Sequence, residues 1–66
     1  MIIGKRIREL LIDAGISQQK LADQIGVNRS AVSFWESDIN EPKATYIAKL
    51  AKFFGVSADY LLGLED

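Results

Sequence analysis

Apolar residues along this chain return at intervals of three and four rather than two. Ile3, Ile7, Leu10, Leu11 and Ala14 share one helical face and predict a first helix over about residues 2–14, ended by Gly15. Ser17 is a good N-cap for a second helix running to about Gln24, although Lys20 stands where a glutamate would complete a capping box. Gly26-Val27 forms a turn, and Asn28 caps a third helix from Arg29 to about Ser37. Pro42 disfavours helical geometry at Glu41, so the segment from Ser37 to Pro42 reads as a loop. A fourth helix follows, with Ile47, Leu50, Ala51 and Phe54 on its inner stripe and Gly55 beyond its end. Ser57 caps a short fifth helix through Tyr60, Leu61 and Leu62, closed by Gly63. No strand, internal repeat or linker signal interrupts the pattern. The expected fold class is all-α, a compact five-helix bundle forming a single domain over residues 1–66.

The densest information lies between Gln18 and Glu36. Leu21, Ala22, Ile25, Val27, Val32 and Trp35 supply apolar or small positions on either side of Gly26. Two short helices crossing steeply need a small residue at the crossing, which Ala22 provides, and a turn residue able to take positive φ, which Gly26 provides. This is the pattern of a helix-turn-helix.

Packing explains only one side of the third helix. With Arg29 at zero and a step of about 100° per residue, Ser30, Ser33 and Phe34 fall within roughly 140° of arc, while Ala31, Val32 and Trp35 take the other side. The outer set joins a cation, two hydroxyls and an aromatic ring. Such a surface fits the major groove of B-form DNA. Arg29 can reach guanine in bidentate fashion, Ser30 and Ser33 can bond to bases or phosphates, and Phe34 can pack on a thymine methyl. The alternative for Phe34 is packing against another helix or a second subunit. Gln18 opens the second helix, whose N–H groups and positive dipole end suit a phosphate. Taken alone, it reads as a plain solvent-exposed glutamine; placed one helix ahead of a candidate recognition helix, it becomes a phosphate clamp.

Composition narrows the function classes. The 66 residues contain neither cysteine nor histidine, which removes disulfides, thiolate metal sites and the commonest general base. No phosphate-binding glycine loop or carboxylate cluster suggests catalysis, so no enzyme, metal, cofactor or small-molecule substrate is expected. No apolar run matches a membrane span or a signal peptide, which points to a cytoplasmic protein. The net charge of −1 is unusual for a nucleic-acid binder. Its distribution is uneven: Lys5, Arg6, Arg8, Lys20 and Arg29 make the first half modestly basic, and Asp38, Glu41, Asp59, Glu65 and Asp66 make the second acidic.

With these residues in view, the chain resembles the lambda-repressor-like helix-turn-helix domains of Cro and XRE-type bacterial and phage regulators. The resemblance is carried by Ser17-Gln18, Leu21-Ala22, Gly26-Val27, Val32-Ser33, Trp35-Glu36, Glu41-Pro42 and the run from Phe54 to Gly63. It implies a sequence-specific regulator of transcription, a phage- or prophage-type repressor acting as a homodimer on a pseudo-palindromic operator in double-stranded DNA. It makes Arg29, Ser30, Ser33 and Phe34 base-contacting residues. Gln18, Asn28, Asn40 and Lys43 become contacts to the phosphate backbone. Three departures stand out. Leu11 replaces a frequent arginine that pairs with the glutamate matching Glu36, so Glu36 needs Arg8 or water instead, or stays solvated. The loop after Glu36 has no cation and places Asp38 at the turn. Lys43 replaces the small polar residue that would cap the fourth helix.

Tyr60, Leu61, Leu62 and Leu64 crowd the C-terminal end. Leu61 suits the core, whereas Tyr60 and Leu64 are candidates for a patch joining two copies about a two-fold axis. The competing function is a protein-interaction module of the same fold, of antitoxin or antirepressor-binding type, which the acidic loop and the low isoelectric point keep open.

Overall fold

A computed structural model of the chain describes residues 2–66. Five helices follow one another: α1 (Ile2–Ala14), α2 (Gln18–Ile25), α3 (Arg29–Glu36), α4 (Ala44–Phe54) and α5 (Ala58–Leu62). Their limits lie within a residue or so of those that periodicity and caps predict.

Two of the expected caps form as written. Ser17 Oγ accepts from the Lys20 N–H at 3.0 Å, and Ser57 Oγ accepts from the Tyr60 N–H at 2.9 Å. Asn28 and Lys43 hold the cap positions of α3 and α4 with extended backbone, but neither side chain makes a capping hydrogen bond. For Asn28 this corrects the expected cap. Between α2 and α3, Gly26 takes φ 86° and its N–H donates to the Ala22 carbonyl at 2.8 Å. That left-handed step is open to glycine without steric cost and turns the chain sharply into α3.

Each helix contributes one large, fully buried apolar side chain: Ile7, Leu21, Val32, Leu50 and Leu61. Burying such a group stabilises the fold by about 1.5–3 kcal/mol. Among the described residues no polar or charged side chain is fully buried, so the core is held by apolar packing. Ala14, expected on the inner stripe of α1, is exposed. The chain turns at Gly15, and half-buried Ile16, whose N–H donates to the Leu11 carbonyl, packs on the core instead.

Gly4 has a role that periodicity does not announce. It is buried where α1 crosses the end of α3. A Cβ there would collide with the Trp35 carbonyl oxygen and lie 2.7 Å from Asp38 Oδ1. Trp35 is only 4% exposed, and its ring lies 5.9 Å from that of Tyr46, centroid to centroid, joining α3 to α4. Asp38 takes φ 63°, the left-handed turn expected at that position.

At the C-terminal end Leu61 is buried as expected. Tyr60 is half-buried, with the Arg6 guanidinium 4.1 Å from its ring centroid. Arg6 therefore covers part of a ring expected to be free for a partner. The apolar surface at this end belongs to Leu64, Leu62 and Ile2, and Ile2 lies directly against Gly63. The Ser57 hydroxyl donates to the Glu65 carboxylate, drawing the last residues back onto the cap of α5.

Candidate nucleic-acid interface

The sequence of α3 divides its surface in two. Val32 and Trp35 are buried, Ala31 is half-buried, and Arg29, Ser30 and Phe34 are exposed; Ser33 is half-buried beside them. Leu21, Ala22 and Ile25 bury the facing side of α2. Ala22 has no accessible surface, so its methyl group fills the crossing and lets α3 approach closely.

Two depressions flank the exposed side of α3. One is lined by Gln19, Arg29, Ser30, Ser33 and Phe34. The other, wider, runs between α3 and the segment leading into α4, with Asn28, Ser30 and Phe34 facing Asn40, Glu41 and Lys43. Seven of the eight residues assigned to DNA contact thus share one continuous surface. Phe34 keeps 40% of its area in solvent, and its ring belongs to both depressions.

Gln18 lines neither depression. Its Nε2–H donates to Glu36 Oε2 at 2.6 Å, tying the first residue of α2 to the last of α3. Arg8 Nε lies 3.7 Å from Glu36 Oε1. Glu36 is therefore not a solvated charge: its side chain is 9% exposed, against 60% for Arg8. Arg8 takes the place anticipated for it, and Gln18 is a partner that sequence reasoning missed. That bond joins positions 18 residues apart and has no local signature.

Gln19 was also missed. It lines the narrower depression beside Arg29 and Phe34, and its Nε2–H donates to Asp23 Oδ1 at 2.9 Å. Here a signal was present, since Gln19 and Asp23 are spaced as neighbours on one helical face. The electrostatics of the surface are mixed. Arg29 and Lys43 supply positive charge, and Glu41 brings a carboxylate into the wider depression. No helix among the described residues is long and apolar enough to cross a membrane.

Comparison with known proteins agrees with this architecture. A family described as helix-turn-helix matches residues 7–61, and the chain belongs to that family. The lambda-repressor-like, XRE-type resemblance is thereby borne out. The HTH-type transcriptional regulator ImmR of Bacillus subtilis (strain 168) is 33% identical over 66 residues, covering 100% of this chain and 52% of ImmR. Repressor protein C2 of Salmonella phage P22 is 36% identical over 61 residues, covering 92% of this chain and 28% of that protein. The chain thus spans about half of ImmR and a smaller share of the phage repressor. Among solved structures, the P22 c2 repressor in complex with a synthetic operator superposes with a TM-score of 0.87 at 34% identity, covering 92% of each chain. The N-terminal DNA binding domain of SinR from Bacillus subtilis gives 0.85 at 31% identity, covering 92% of this chain and 90% of that one.

Proposed function

We propose that this chain is a sequence-specific double-stranded DNA-binding transcriptional regulator, a phage- or prophage-type repressor that binds a pseudo-palindromic operator as a homodimer. The observation that carries this reading is the two-sided α3: one side is committed to the core, and the other presents Arg29, Ser30, Ser33 and Phe34 between two depressions. A helix of this kind enters the major groove. Arg29 reads guanine, the serines bond to base edges or phosphates, and Phe34 packs on a thymine methyl. Asn28, Asn40 and Lys43 meet the flanking backbone. The similar P22 c2 structure, a repressor on a synthetic operator, supports the assignment.

The dimer uses Leu64, with Leu62 and Ile2 beside it. Leu64 is 73% exposed, a large apolar side chain that the monomer leaves uncovered. Tyr60 contributes the edge of its ring that Arg6 does not cover.

A salt titration against duplex DNA tests the proposal. Each phosphate neutralised by a cation adds about −0.9 to the slope of log affinity on log salt. With Lys43 of each protomer on the backbone, a dimer is expected to show a slope of about −1.8, so affinity falls as salt rises but less than for a more basic binder. A chain whose duplex binding ignores salt, or that binds no duplex from a random pool, is a protein-interaction module instead.

A further inference from the structure

We propose that Glu36 is a positioning residue for DNA binding: its carboxylate fixes the Gln18 side chain at the start of α2 and so sets how α2 meets the phosphate backbone. This rests on the DNA-binding function proposed above and names a residue outside the contact surface.

A carboxylate only accepts hydrogen bonds, so the NH₂ end of the Gln18 carboxamide must face Glu36. The separation of 2.6 Å is that of a strong, charge-assisted bond. Glu36 is nine-tenths buried, and a buried charge needs partners. Arg8 is a weak one, since its side chain is 60% exposed and its Nε lies 3.7 Å away. Gln18 is the close partner. The bond spans the helix-turn-helix from the first residue of α2 to the last of α3, on a different side of the motif from the Gly26 turn. It also settles what Gln18 can do. One N–H is spent on Glu36, and the second remains for a phosphate oxygen on a side chain already held still.

Charge alone predicts the opposite effect. A carboxylate near the duplex repels phosphates, so its removal would tighten binding if it did nothing else. Positioning predicts a loss.

The test measures affinity for one selected duplex at fixed salt with the intact chain and with Glu36→Ala, Glu36→Gln, Gln18→Ala and the double variant Gln18→Ala/Glu36→Ala, each shown to be folded by circular dichroism. Glu36→Ala is expected to weaken binding about tenfold, the range of one charge-assisted hydrogen bond. Glu36→Gln keeps the size and an acceptor oxygen, so its loss is smaller, about threefold, and it serves if the alanine variant does not fold. In the Gln18→Ala background, Glu36→Ala should add nothing, because the group it holds is gone. NMR signals of the Gln18 side-chain amide, recorded without DNA, should move in both Glu36 variants.

Unchanged or tighter binding by Glu36→Ala overturns the proposal, as do losses that multiply in the double variant. Unmoved Gln18 amide signals overturn it without reference to DNA. A wild-type chain that binds no duplex overturns the DNA-binding function itself, and the proposal with it. That failure is distinct, because it appears before any variant is compared.

Discussion

Arg29 opens α3 with an exposed side chain, and Phe34 closes the same face one and a half turns later. The two residues predict different losses. Arg29→Ala should cost about 1–3 kcal/mol at one base pair of the operator and relax preference there, as read by binding to operators varied at each position. An equal loss on every sequence would make Arg29 a phosphate contact. Phe34→Ala should reduce discrimination at a thymine-containing step and cost little in melting temperature, because the residue keeps 40% of its area in solvent. A large drop in melting temperature would return Phe34 to the core. At this scale the sequence shows which residues avoid the core, since a helix 100° per residue exposes them by arithmetic. It does not show which side chains bond to each other across the motif. The pairing of Gln18 with Glu36 has no sequence signal because it depends on the crossing of α2 and α3.

The limits of the helices were legible because local chemistry decides them: Ser17 and Ser57 cap, Gly26 turns, Pro42 excludes helix before it. Close approach between helices was not, since it belongs to no single segment. Gly4 is the case in point, a glycine inside α1 that helix propensity would discourage. Its purpose is clearance. Gly4→Ala adds a methyl group against the Trp35 carbonyl oxygen, a backbone atom that cannot swing aside. A gain in helix propensity of about 1 kcal/mol opposes a packing cost of about 1–3 kcal/mol, and the cost should prevail. Urea denaturation is expected to show a lower midpoint with an unchanged slope. An unchanged or higher midpoint would mean that α1 can slide without loss.

For the molecule as a whole, five small helices share one apolar core, while the surfaces proposed to face an operator and a second copy lie on different elements. Association should therefore be removable without loss of the fold or of the surface proposed for DNA. Leu64→Asp is expected to leave folding intact and to make the chain monomeric in analytical ultracentrifugation. Operator affinity should fall about a hundredfold, the scale on which linking two binding modules raises avidity. A variant that remains dimeric would move the interface away from Leu64. The buried Trp35 gives these changes a natural optical reporter. It is the sole tryptophan of the chain, shielded from water beside Tyr46, and it also borders the wider depression on α3. Its emission will shift to longer wavelength when the bundle opens, and a smaller intensity change should accompany docking of a duplex above it. One unlabelled fluorophore can thus follow both stability and occupancy.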